Sequence, residues 1–190
     1  LRVNTLAAGR DRVLVELKGV GAAPCAIAPD GVRIAPIAGD GRHPNVQAEP
    51  AFRKGWFEVQ DEGSQIAAAL ASAAPGMQVL DYCAGGGGKS LAMAAQMGNR
   101  GQIHAFDADR RRLAPMVERL RRAGAHNVQL VERQPELGPL AEKMDRVLVD
   151  APCTGTGTWR RRPDAKWRLS EANLALRTRD QDAVLDAAAG

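Results

Sequence analysis

Residues 79–90 read Val79-Leu80-Asp81-Tyr82-Cys83-Ala84-Gly85-Gly86-Gly87-Gly88-Lys89-Ser90. An apolar strand, Val79–Cys83, runs into four glycines. A helix follows with Leu91, Ala94 and Ala95 facing inward and Gly98 as its stop. Strand, glycine turn and helix open a βαβ unit, and glycines there let the backbone approach a ligand closely. A phosphate-binding G-x-x-x-x-G-K-[ST] loop needs glycine six residues before the lysine, and that position is Cys83. The dinucleotide pattern G-x-G-x-x-G is not met either, because Lys89 or Ser90 stands where its last glycine belongs. A tight strand-to-helix turn that holds nothing is the other reading of the same glycines.

Outward from this stretch the same alternation continues. Gln102–Phe106, Val128–Val131 and Arg146–Val149 read as further strands. Leu113, Met116, Val117 and Leu120 form a helix stripe closed by Gly124, with Pro115 expected to bend its first turns. Upstream, Ile66, Ala69, Leu70 and Ala73 predict a buried helix face ended by Pro75-Gly76. Ser170 reads as the N-cap of a last helix carrying Leu174, Val184 and Leu185. Strands alternating with helices over short loops predict an α/β fold with a parallel sheet and right-handed crossovers. Ligands of such sheets sit at the carboxyl ends of the strands. Asp81–Lys89, Asp107 and Asp150–Cys153 occupy those ends here, so all three are expected on one edge.

Residues 1–50 differ: rich in Gly, Pro and Ala, they predict a small α+β module. Arg12–Leu17 is a helix or a strand, Asp30-Gly31 a turn and Gly31–Ile34 a strand. The boundary falls near residues 48–55. This gives a small N-terminal module over 1–50 and a main domain over 51–190.

Composition narrows the class. With 45% hydrophobic and 25% charged residues, a 190-residue chain buries a real core and is no disordered tail. A mean hydropathy of -0.28 without an apolar run near ~20 residues speaks against a membrane span. Cys25, Cys83 and Cys153 form no C-x-x-C pair and no zinc cluster, so no metal and a reducing, cytoplasmic setting are expected. His43, His104 and His126 show no ligand pattern and read as loop, strand and helix-end residues. Five of the ten residues Trp159–Arg168 are basic. Trp159, Arg160, Arg161, Arg162, Lys166, Trp167 and Arg168 thus combine cations for phosphates with flat rings for unpaired bases. A solvated loop with Trp167 packed on the core is the alternative.

Asp107 ends the second strand, 19 residues after Gly88, where a carboxylate accepts both hydroxyls of a ribose. Its bland alternative, capping the next helix, Asp109 could perform equally well. A glycine loop plus a strand-two acid describes an adenosine ligand. Without triphosphate spacing, S-adenosylmethionine suits it better than ATP, its carboxylate meeting a helix N-terminus. In Asp150-Ala151-Pro152-Cys153-Thr154-Gly155-Thr156-Gly157, a thiol stands in a stiff loop beside a carboxylate and upstream of a basic run. Those groups suit cytosine C5 methylation. A thiolate adds at C6, an acid hydrogen-bonds N3, and the activated C5 attacks a sulfonium methyl group.

The sequence resembles the Sun-type (RsmB-like, Nop/Nol) RNA cytosine-5 methyltransferases. The likeness runs from Leu1-Arg2-Val3-Asn4-Thr5-Leu6 through Gly55-Trp56-Phe57-Glu58-Val59-Gln60-Asp61-Glu62-Gly63-Ser64-Gln65 and Leu80–Lys89. It ends with Asp150–Gly157 and Arg162-Pro163-Asp164-Ala165-Lys166-Trp167-Arg168. The resemblance implies a Rossmann-like S-adenosylmethionine-dependent methyltransferase fold with an incomplete parallel sheet, since about seven strands are usual. It implies that Cys83, Ala84, Gly85, Gly86, Gly87, Gly88 and Lys89 hold the methionine moiety and that Asp107 holds the ribose. Asp150 is implied near both cofactor and target base.

Two departures stand out. Glu132-Arg133-Gln134 replaces the acid the family often has near the adenine, so Gln134 or nothing makes that contact. Relatives also attack with a cysteine in a Thr-Cys-Ser segment after a fifth strand, which is absent from these residues. Cys153 matches the other cysteine, which helps release product; a Pro-Cys nucleophile, as in DNA-acting cousins, is the lesser reading. Beginning on Leu1 and stopping within a helical pattern at Gly190, the chain reads as a fragment, catalytically incomplete by itself. The expected function is methylation of cytosine C5 in ribosomal RNA, with transfer RNA the other RNA substrate considered, by a monomer. The rivals are a non-catalytic S-adenosylmethionine- and RNA-binding assembly factor and, disfavoured by Cys83, a P-loop nucleotidase.

Overall fold

Glycines and prolines keep the first elements short in the computed structural model, which describes residues 1–35, 42–159 and 161–189. They are β1 (Arg2–Val3), α1 (Arg10–Glu16), β2 (Ala22–Pro24), β3 (Val32–Ile34), α2 (Pro50–Arg53) and β4 (Phe57–Glu58). Strand β1 pairs antiparallel with β4, and β2 with β3. The Arg12–Leu17 stretch is helical because Val13 and Leu17, one turn apart, both face inward. With Val3, Val32 and Phe57 they are at most 1% exposed and form an apolar cluster beside Trp56.

The main sheet follows. Its elements are α3 (Glu62–Leu70), β5 (Gln78–Asp81), α4 (Gly88–Gln96), β6 (Gln102–Phe106), α5 (Ala114–Ala123), β7 (Val128–Val131) and β8 (Arg146–Leu148). The strands lie in the order β7-β6-β5-β8, and every pairing is parallel. Val79 pairs with Ile103 and Asp81 with Ala105, so the C-terminal ends of β5 and β6 stand level. Val79, Ile103 and Ala105 face one layer containing Leu91, Met93, Ala94 and Met97 of the α4 region and Met116 and Leu120 of α5. Burying each such large side chain contributes about 1.5–3 kcal/mol. Strand β8 is an edge of these four.

Several sequence expectations shift. The buried face of α3 is Gln65 and Ala68, while Leu70 is 77% exposed. Asp61 caps the helix by accepting from Gly63 N–H at 3.1 Å. Gln65 then turns inward to donate to the carbonyls of Leu1 and Gln60, so the buried stripe falls one residue before the expected one. In α5 the inward face is Met116, Leu120 and Ala123, leaving Val117 exposed. Pro115 sits in the first turn, where its missing N–H breaks no helical bond, so it opens α5 rather than bending it. Ser170 does cap the last helix, α6 (Glu171–Ala189), accepting from Asn173 N–H at 3.2 Å.

Residues 1–148 form one compact unit and 149–190 a second. Within the first, Asn4 Nδ2 donates to Gly55 O and Ala123 O, both at 2.8 Å, fastening the lead-in to the C-terminal end of α5. Gly55 has φ +70°, and a Cβ there would lie 1.9 Å from the carbonyl oxygen of Arg122. No side chain can occupy that contact. Gly55→Ala is expected to cost about 3 kcal/mol or more and to lower Tm by roughly 6–12 °C in a thermal melt.

His104 lies buried on β6, and burial alone pushes its imidazole below the usual 6.5. The folded state therefore prefers the neutral ring. That stability is complete above about pH 6.5 and is lost as pH falls below it. Urea midpoints should decline as the pH is lowered below about 6.5, and His104→Gln should flatten the decline.

Candidate functional site

The level ends of β5 and β6 decide what the glycine loop can reach. Ala84 N–H donates to Phe106 O at 2.9 Å, and one residue later Gly85 N–H donates to Asp107 Oδ2 at 2.9 Å. Gly85 and Gly87 take left-handed φ values of +52° and +80°. A Cβ on Gly87 would stand 2.5 Å from Met116 Cγ, so the turn is filled from below by α5. Ser90, on the first turn of α4, gives its hydroxyl to Asp81 Oδ2 at 2.6 Å, and both residues are buried. The hydroxyl that a phosphate-binding loop would turn toward a metal is committed inward. This adds to Cys83 as a reason against nucleotidase chemistry.

Asp107 is 3% exposed. Its Oδ1 accepts from Asp109 N–H at 3.0 Å, and Arg112 Nη1 stands 3.1 Å from Oδ2. The capping role falls to Asp109, which accepts from Arg111 N–H at 3.1 Å and whose carboxyl Arg111 holds below its ordinary range. Asp107 is thus not used up as a helix cap. Two backbone N–H groups orient its carboxylate, and the third partner, Arg112, is half exposed and reached from solvent.

Cys153 is exposed and opens onto a depression of about 370 Å³ that also includes Thr158, Arg162, Arg168, Asn173 and Arg177. Gln181 Nε2 donates to Pro152 O at 2.9 Å, tying α6 to the cysteine loop. Arg177 was missed from sequence. The signal was its place one helical turn after Asn173, which puts both on one face. Trp167 is 80% exposed, not packed on a core, and Lys166 Nζ lies 4.6 Å from its ring centroid. Arg161, Arg162, Lys166 and Arg168 are exposed, and Trp159 is half-buried. Arg160 lies outside the described residues. Gly85 and Asp107 are therefore brought into contact within the first unit, while Asp150 and Cys153 belong to the second.

Residues 67–190 match the family model for the 16S rRNA methyltransferase RsmB/F. The chain belongs to that family. It is 34% identical to the probable ribosomal RNA small subunit methyltransferase B of Synechocystis sp., covering 100% of this chain and 42% of that protein. The crystal structure of PH0851 is 33% identical with a TM-score of 0.88, over 99% of this chain and 42% of that one. NSun6 from Pyrococcus horikoshii, determined with SFG, superposes with a TM-score of 0.85 at 22% identity, over 98% of this chain and 70% of that one; this is a likeness of fold. The chain thus spans about two fifths of the curated relative's length. The sequence resemblance and the Rossmann-like α/β class are both borne out.

The RsmB/F family is S-adenosylmethionine-dependent, and the first unit fits that molecule. It offers a glycine backbone at the start of α4 for a carboxylate, and beside it an oriented acid for a diol. Gln134 is exposed at the start of the 3₁₀ stretch Gln134–Leu140, while Glu132 stands 4.0 Å from Arg110. No group of three or more His, Cys, Asp or Glu that could hold a metal occurs among the described residues. Among them, too, no helix is long and apolar enough to cross a membrane.

Proposed function

We propose that this chain carries the S-adenosylmethionine site and part of the RNA site of a cytoplasmic enzyme that methylates cytosine C5 in small-subunit ribosomal RNA. The observation that carries this reading is the Gly85 N–H to Asp107 hydrogen bond. It joins the glycine loop to the strand-two acid in one place. Family membership supports RNA methylation, and the Pro152-Cys153 loop supports carbon-5 chemistry.

When bound, S-adenosylmethionine supplies an electrophilic methyl group. Cys83–Lys89 would hold its methionine end and Asp107 would accept its ribose hydroxyls. Asp150, which the family resemblance implies for the target base, would hydrogen-bond the ring at N3 and so make C5 nucleophilic after a thiolate has added at C6. The family's Thr-Cys-Ser cysteine supplies that thiolate. Cys153 assists the later loss of the C5 proton and departure of the thiolate. The exposed Trp167 stacks an unpaired base, and Arg162, Lys166 and Arg168 grip phosphates. Residues 1–50 act as an RNA-contacting module ahead of the methyltransferase domain, 51–190.

Full-length protein given labelled methyl donor and small-subunit ribosomal RNA should yield 5-methylcytosine on nuclease digestion and mass spectrometry; methyl at any other base position would refute the assignment. Asp107→Ala should weaken donor binding in calorimetry by at least about tenfold, and unchanged affinity would remove it from the ribose. Changing Arg162, Arg168 and Arg177 together to Ala should lower RNA affinity and make the slope of log K against log salt shallower by up to about 2. An unaltered slope would take them out of the interface.

A further inference from the structure

Against the glycine loop lies a buried polar cluster to which the proposed chemistry assigns no task. Glu58 of β4 is 2% exposed, and its Oε2 accepts from Arg119 Nε at 3.1 Å and Nη2 at 2.9 Å. Arg122 Nη2 meets Oε1 of the same carboxylate, and the Arg122 guanidinium covers the Phe52 ring at 4.0 Å. The third nitrogen of Arg119, Nη1, donates to the carbonyl oxygen of Gly86 in the middle of the loop. Gln60 stands beside the loop as well, its Nε2 3.5 Å from where a Cβ on Gly88 would be, while its Oε1 accepts from Arg2 Nε at 2.6 Å. Three of these residues, Arg2, Glu58 and Gln60, come from the segments that carry the family resemblance outside the loop.

Four consecutive glycines have the largest backbone entropy of any such run, so a single loop geometry needs restraint from outside. Here each of three successive residues is held from the α5 side or its approach. Gly85 is held by Asp107, Gly86 by Arg119, and Gly87 by the Met116 side chain filling the space where a Cβ would go. A buried ion pair alone is weak evidence of stabilisation, because well-packed apolar residues often serve as well. An apolar pair could not hold a carbonyl. The planar fork of arginine can, since it takes a carboxylate with two nitrogens and still offers a third.

We propose that Arg119, oriented by Glu58, is a positioning residue for the cofactor loop: it fixes the Gly86 peptide and so the orientation of the backbone that receives the donor's methionine end. The proposal rests on the S-adenosylmethionine reading above. It moves Phe57-Glu58-Val59-Gln60 from the lead-in to the support of that site.

The test is made on the full chain with three variants. Arg119→Met should weaken S-adenosylmethionine binding in calorimetry by about tenfold, the scale of one charge-assisted hydrogen bond. It should also speed amide hydrogen exchange at Gly86–Gly88 by a similar factor without ligand. Arg119→Lys, which keeps a charge near Glu58 but loses the fork, should fall between. Arg122→Met, which disturbs the same carboxylate without touching the loop, should lower Tm and leave affinity within about twofold. Wild-type affinity in Arg119→Met, or an equal loss in Arg122→Met, would overturn the proposal. Should Arg119→Met fail to fold, Arg119→Lys decides, and unchanged exchange and affinity in it overturn the proposal equally. A wild-type chain that does not bind the donor would refute the cofactor reading, and the ligand-free exchange comparison would still decide the tether.

Discussion

Parallel strands that end level bring the chain after one strand against the chain after its neighbour, and β5 and β6 are paired in that way through Asp81 and Ala105. The loop that follows β5 cannot leave the sheet without passing the residue that follows β6. Gly85 therefore meets Asp107, and the acid's remaining oxygen is steadied by Asp109 N–H. A shift of one residue in this pairing would turn Asp107 and the loop amides to different faces. The apolar layer of Val79, Ile103, Met93, Met97 and Met116 holds the register. Core packing and site geometry are thus the same constraint seen from two sides.

Polar groups fasten the lead-in to this arrangement. Asn4 satisfies two carbonyls that would otherwise be buried without a donor, one of them at the open C-terminal end of α5. Glu58 brings a carboxylate out of water, a cost of several kcal/mol that two guanidinium groups offset. Burial pushes the nearby Arg2 guanidinium down to about 10, with Glu58 acting against the fall, so it remains charged at neutral pH. Such a cluster is costly to open, because the buried Glu58 carboxylate loses a donor when either arginine is removed.

In the second unit the chemistry is differently built. Cys153 shares its depression with Arg162, Arg168 and Arg177, and the exposed Trp167 ring is paired with Lys166. Cations around an exposed thiol suit a polyanionic substrate presented from solvent. The buried Asp107 carboxylate of the first unit, oriented by backbone N–H groups, suits a small ligand held against backbone.

The α/β class, the strand positions and the pairing of a glycine loop with Asp107 were legible in the chain itself. Each follows from local spacing: short apolar strands, helical stripes between them, and acids at strand ends. Motif residues also carried the family, because identity at separated positions survives without any knowledge of contacts. Tertiary structure decided which side of α3 is buried, since the inward turn of Gln65 answers carbonyls at Leu1 and Gln60. It also decided that Asp109, not Asp107, caps the short helix after β6, and that Arg119 and Glu58, 61 residues apart, meet beneath Gly86. Pairings of that kind depend on which polar groups burial leaves in need of partners, and no periodicity along the chain records that need.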